Sequence, residues 1–357
     1  MLTDKYFNKE NSFFQLRKYQ EAIKKFNLAI KCNPYSAEAY INKGIALDKL
    51  GQHQEAIENY DIAIKYKPDS VEAYINKGIS LKQLGQYQDA IKNYDIAIKY
   101  KPDSAEAYNN KGASLNDLGQ YEEAIENYDI AIKYKPDSAE AYINKGNTLM
   151  QLWQYQKAIE NYDIAIQYNP NDVNAYYNKG IALNELGRYQ ETIDNYDIAI
   201  KYKPDLAKAY INKGNALNAL GRYQEAIENF DTGIRYNPND EKAYYNKGIS
   251  LYQLGQYQEV IENCDIAIKH KPDLAEAYMN KGVALSKLGQ HQEAIKKFNL
   301  AIKYKPGFAE AYLNKGESLK QLGQREKAIK NFELAIKYNP GLIAPYIRDI
   351  LKKVEMQ

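Results

Sequence analysis

The chain has 357 residues, with 48 Lys+Arg against 46 Asp+Glu and a net charge of +2. That balance excludes the strongly basic footprint of a nucleic-acid or membrane-surface binder. The first sixteen residues carry charges and amides where a signal peptide needs an apolar run, and no stretch is long and apolar enough to span a bilayer. A cytoplasmic chain with no membrane insertion is expected.

Ten of the eleven prolines, from Pro34 to Pro340, recur every 34 residues without an insertion. A fixed period of this length marks a stacked repeat whose core forms between neighbours. Counted from the third residue after each proline, repeats begin at Thr3, Ala37, Val71, Ala105, Ala139, Val173, Ala207, Glu241, Ala275 and Ala309. The array thus occupies residues 3–342, and a tail, Ile343 to Gln357, is expected as a C-terminal capping helix. The first repeat has Glu10 and Arg17 at positions 8 and 15, where small residues recur, so its first helix is expected to pack loosely as an N-terminal cap.

Within the repeat Val71 to Ser104, apolar or small residues at positions 1, 4, 8 and 11 (Val71, Tyr74, Gly78, Leu81) lie on one helical face. A second stripe runs through Tyr87, Ala90, Ile91, Tyr94, Ala97 and Ile98. Gly85 sits between them, where a helix needs a left-handed C-terminal residue. Lys101-Pro102 ends the second helix. Asp69 and Glu72 have the spacing of a capping box for the first helix. Each repeat is therefore a helical hairpin. Cys32 and Cys264 fall on apolar positions 232 residues apart and are expected as small core residues, not a disulfide framework.

An aromatic at position 4, Gly at 8, Leu at 11, Tyr at 17, Ala at 20, an aromatic at 24, Ala at 27 and Pro at 32 together resemble the tetratricopeptide repeat. In the third repeat they are Tyr74, Gly78, Leu81, Tyr87, Ala90, Tyr94, Ala97 and Pro102. The match covers residues 3–342. The resemblance implies an all-α fold, a right-handed superhelix of ten hairpins with first helices lining a concave channel. Trp153, the only tryptophan, stands at the turn position where eight other repeats have Gly.

No enzyme motif stands out, so no catalytic residue, metal or cofactor is expected. His53, His270 and His291 occupy positions where other repeats mostly carry Tyr, and their separation prevents convergence on one metal. Thirty of the 35 tyrosines fall at packing positions 4, 17, 24 and 30, which favours a core role over stacking on nucleic acid.

Position 6 is Asn in every repeat: Asn8, Asn42, Asn76, Asn110, Asn144, Asn178, Asn212, Asn246, Asn280 and Asn314. It lies about 200° around the helix from the aromatic at position 4. Asparagine costs roughly 0.5 kcal/mol against alanine in a helix interior, so propensity does not explain the row. A primary amide donates and accepts, matching the backbone of an extended peptide. The row is similar to the asparagine ladder of the O-linked N-acetylglucosamine transferases. That similarity implies a non-enzymatic scaffold binding an extended segment of a partner protein at Asn42 to Asn314. Asn147, Asn174, Lys208 and Lys242 form a possible specificity patch. Lys at position 7 recurs equally faithfully, so repeat duplication or a structural bridge between first helices also accounts for the row. The carboxylate clamp of chaperone-binding relatives is matched by Asn147, Asn178 and Lys208, but Ile143 and Asn212 replace two of its cations. The remaining alternatives are a targeting subunit of a separate enzyme chain and a scaffold using its convex face, with Trp153 as an anchor.

Overall fold

The computed structural model describes residues 18–341. The first helix of repeat 1 and the tail 343–357, both expected as caps, lie outside the described residues. The expected all-α architecture is observed, with no strand among the described residues. A helical stretch over 18–32 is followed by helices alternating from Ala37–Lys49 to Arg325–Tyr338. First helices have 13 residues and second helices 14, as in Val71–Gln83 and Tyr87–Tyr100. Residues up to Ala182 form one compact body and those from Leu183 a second, the boundary falling within helix Val173–Glu185.

The local signals act as physical stops and starts. Gly85 takes φ +74, while Gly85 N–H donates to Lys82 O and Gln86 N–H to Leu81 O, both at 2.9 Å. This paired closure satisfies carbonyls that the helix end leaves open. The first-helix cap differs from the sequence expectation. Ser70, not Asp69, has the extended backbone of an N-cap, and its hydroxyl accepts from Ala73 N. The Ser36, Ser104 and Ser138 hydroxyls accept in the same way from Ala39, Ala107 and Ala141 N. Asp69 lies in the turn, one residue too early to hold that geometry.

The core is built around position 24. Tyr60, Tyr94, Tyr128, Tyr162, Tyr196, Phe230, Phe298 and Phe332 are among the largest fully buried side chains. Seven of these rings, all but that of Tyr196, stand where a Cβ on the position-8 glycine of their own hairpin would fall: on Gly78 it would lie 2.5 Å from Tyr94 Cε1. The tyrosines of positions 4 and 30 are less buried than expected. They stack on one another at the edge, as Tyr74 does on Tyr100 with centroids 6.1 Å apart and Tyr210 on Tyr236 at 5.9 Å. Cys32 is exposed, contrary to its expected core placement, whereas Cys264 is buried.

Within each body the hairpins pack in sequence. First helices also touch the first helix of the next hairpin, while second helices make no such contact with one another among the described residues. The first helices therefore lie on the tighter, inner side of the stack.

Candidate functional site

The position-6 asparagines from Asn42 to Asn314 are all half-buried on the first-helix face. Several bridge adjacent first helices, the structural alternative raised by the sequence. Asn144 Nδ2 donates to Asn109 Oδ1 at 3.1 Å, and Asn178 Nδ2 to Asn147 Oδ1 at 2.9 Å. Asn246 Nδ2 donates to Asn215 Oδ1 at 2.9 Å, whereas Asn314 Nδ2 turns back to its own Glu310 O at 2.8 Å. In these three bridges the acceptor is an Asn at position 5 or 9 of the preceding repeat, while Asn280 meets Tyr245 at position 5. The side chains of Asn42, Asn76 and Asn110 have no hydrogen bond among the described residues. A primary amide has two N–H groups and two lone pairs, so each bridge uses only part of a rung's capacity.

Lys at position 7 has a structural explanation that sequence reasoning missed. Lys77, Lys111, Lys145, Lys179, Lys213 and Lys247 reach back sixteen residues to Asp61, Asp95, Asp129, Asp163, Asp197 and Asp231 at 2.5–2.6 Å. Lys281 and Asp265 form the same pair. Asp at position 25 is the signal that could have revealed it. Where Asn299 replaces that Asp, Lys315 faces partial burial alone, and desolvation lowers its pKa.

A second inter-repeat link joins position 12 of one repeat to the hydroxyl at position 10 of the next. Ser80 Oγ donates to Asp48 Oδ2 at 2.8 Å, Thr148 Oγ1 to Asn116 Oδ1 at 2.9 Å, and Ser250 Oγ to Asn218 Oδ1 at 2.6 Å. Asp48 also accepts from the Tyr60 hydroxyl at 2.8 Å and lies 2.9 Å from His53 Nδ1. Here the serine hydroxyl meets the carboxylate, not the imidazole, so the cluster ties helices together without activating a nucleophile. Among the described residues no group of three or more His, Cys, Asp or Glu side chains could hold a metal ion, and no helix is long and apolar enough to cross a membrane.

The residues of the expected specificity patch are not equivalent. Asn174, Lys208 and Lys242 are exposed at position 2 of their helices. Asn147 is committed to the protein: its Oδ1 accepts from both Tyr162 Oη and Asn178 Nδ2, at 2.8 and 2.9 Å. Two cavities open on the first-helix face. One of about 270 Å³ in the first body is lined by Val71, Glu72, Ile75 and Asn76, with Lys101 and Glu106 at its rim. The other, about 330 Å³ in the second body, includes Asn280 and Asn314.

Models of the TPR repeat match residues 80–115, 112–152, 146–187 and 214–255. Tetratricopeptide-repeat models match 37–70, 241–274 and 275–308, and also 173–206 and 309–341. Among solved structures, a tetratricopeptide-repeat protein from Parabacteroides merdae is similar at 20% identity and TM-score 0.54, covering 71% of this chain and 99% of that one. YrrB, described as a TPR protein with an unusual peptide-binding site, is 26% identical with TM-score 0.45, covering 54% of this chain and 99% of that one. No curated protein matches the chain.

Proposed function

The chain belongs to the tetratricopeptide-repeat family, and from that premise we propose that it binds an extended segment of a partner protein along its first-helix face. Proteins built from this repeat generally mediate protein–protein interaction. The observation that carries the reading is the set of half-buried amides at Asn42, Asn76 and Asn110, which lack a hydrogen-bond partner among the described residues. Leaving such groups unmatched costs stability unless water or a ligand meets them. Adjacent first helices stand about 8–10 Å apart and an extended chain advances about 3.3–3.6 Å per residue, so each rung meets roughly every third peptide residue. The bridging rungs Asn144, Asn178 and Asn246, together with Asn212, Asn280 and Asn314, offer their remaining lone pairs and N–H groups to the same ligand. Position 2, exposed at Asn174, Lys208 and Lys242, supplies preference for partner side chains.

The test uses a panel of labelled peptides of about twelve residues, read by fluorescence anisotropy. Asn76→Ala with Asn110→Ala weakens binding of whichever peptides associate, while Tm holds or rises, because alanine favours the helix by about 0.5 kcal/mol per site. N-methylation of a bound peptide's backbone removes the donor the amides accept from, and binding falls again. Unchanged affinity in both arms overturns the reading. Trp153, 77% exposed, supports a second reading in which the contact lies away from this face; binding sensitive to Trp153→Ala and indifferent to Asn76→Ala would select it.

A further inference from the structure

Repeat 8 breaks the pattern that fills every neighbouring hairpin. At position 24 it carries Cys264 in place of Tyr or Phe. A Cβ on Gly248 would find Cys264 Sγ at 3.8 Å and Val260 Cγ1 at 4.0 Å, where the rings of other hairpins would stand 2.5–2.8 Å away. The hydroxyl link that ties some adjacent first helices elsewhere is also missing here. Position 12 is Tyr252, opposite Ala284, so no hydroxyl meets an acceptor. Position 9 is Ile249 and then Val283, neither of which can accept from Asn280 or Asn314, and Asn280 meets the Tyr245 side chain at position 5 instead.

The face therefore opens into the cavity of about 330 Å³, walled by Ile249, Tyr252, Met279 and Val283. That volume is at the lower end of ligand pockets, with room for a large side chain. Its polar rim is specific. Asn280 and Asn314 stand on it, the latter with Nδ2 on Glu310 O. Glu310 is exposed on the same rim and holds no ion pair among the described residues. Glu317, two turns further along that helix, has a buried Oε1 with no partner, and Lys320 lies 3.9 Å from its other oxygen. Glu276, by contrast, is occupied by Lys305 at 2.9 Å.

We propose that this cavity receives a large aliphatic or aromatic side chain of the partner's extended segment, with a lysine or arginine one or two residues away meeting Glu310. Asn280 and Asn314 hold the intervening peptide backbone. This rests on the reading of the first-helix face as the binding surface, and it adds the sequence that surface selects. Apolar burial supplies affinity, and the carboxylate rejects an acidic neighbour.

The probes are three labelled peptides of about ten residues in a glycine–serine background, with leucine–lysine, serine–lysine or leucine–glutamate at the centre. Each is titrated by anisotropy into the full chain and into V283W and E310Q. The leucine–lysine peptide is expected to bind about tenfold or more tightly than either alternative. V283W fills the cavity and removes the preference for leucine over serine; E310Q removes the preference for lysine over glutamate. Circular dichroism confirms that V283W folds, and because Glu310 is exposed, E310Q tests the rim even if V283W does not fold. Equal binding of the three peptides overturns the proposal, as does an unchanged preference in E310Q, and so does the absence of binding by all three. The surface itself is judged separately by Asn76 and Asn110 in the other body, so failure here leaves that result standing.

Discussion

At the residue scale, one glycine position has opposite consequences in two hairpins. Gly78 lies under the buried Tyr94 ring, and a Cβ there would sit 2.5 Å from Cε1 and 2.7 Å from Cζ. The ring has no room to retreat, because Tyr94 is fully buried. Overpacking costs about 1–3 kcal/mol, more than the ~1 kcal/mol alanine gains over glycine in a helix. Gly78→Ala should therefore lower stability in urea denaturation. Gly248→Ala should raise it by about 0.8–1 kcal/mol, since only Cys264 and Val260 stand nearby, at ordinary contact distance. Loss of stability in both variants would show that the space over Gly248 is not available. Burial also pushes the Cys264 thiol up to about 12, consistent with a sulfur sealed in the core beside that space.

At the element scale, the turn between the two helices carries its own strain test. Eight repeats place glycine there with φ between +71 and +78, and Trp153 takes φ +59 in the fifth. A side chain in that region costs roughly 1–2 kcal/mol, because Cβ crowds the following carbonyl. Trp153 is 77% exposed, and its ring meets that of Tyr155 edge-on, centroids 6.2 Å apart. Trp153→Gly should raise Tm by a few degrees, the strain relieved exceeding the ~0.4–1 kcal/mol that glycine adds in unfolded-chain entropy. A fall in Tm would mean that the indole makes packing contacts worth more than the strain. The hairpins were legible in the sequence because proline, glycine and apolar spacing act within a few residues. The Ser70 cap was misplaced by one residue, since Asp69 has the same capping chemistry and only backbone angles separate them. The Lys77–Asp61 pair spans a hairpin boundary, so its signal lay in the joint recurrence of Asp at position 25 and Lys sixteen residues later. Cys264 was visible as an odd letter, but its consequence needs the knowledge that position 24 packs on position 8. The row from Asn42 to Asn314 was legible as a row; which rungs bridge depends on the neighbour at position 5 or 9.

At the scale of the whole molecule, the two bodies should respond differently to alkali. The first body plugs its hairpins with Tyr60, Tyr94, Tyr128 and Tyr162, whose hydroxyls burial holds well above the usual tyrosine range; for Tyr60 the bond to Asp48 adds to the effect. The second body uses Phe230, Phe298 and Phe332, which do not titrate; burial also raises its Cys264 thiol and Tyr245 hydroxyl, so it carries a smaller form of the same liability. In the unfolded chain tyrosine loses its proton near pH 10. Above that pH the unfolded state binds fewer protons than the folded one, so folding stability falls as pH rises. The stability these hydroxyls contribute is fully present below pH 10, and each protected ring removes about 1.4 kcal/mol for every further pH unit. Four such rings act together in the first body, so it should unfold at lower pH than the second. Pulsed proteolysis between pH 9 and 12, with fragments assigned by mass, should release peptides from residues 37–182 first. Replacing Tyr94 and Tyr128 with Phe should move that transition upward while leaving the second body's unchanged. Simultaneous release from both bodies, or a transition indifferent to the Phe replacements, would show that the buried hydroxyls do not set the alkaline limit.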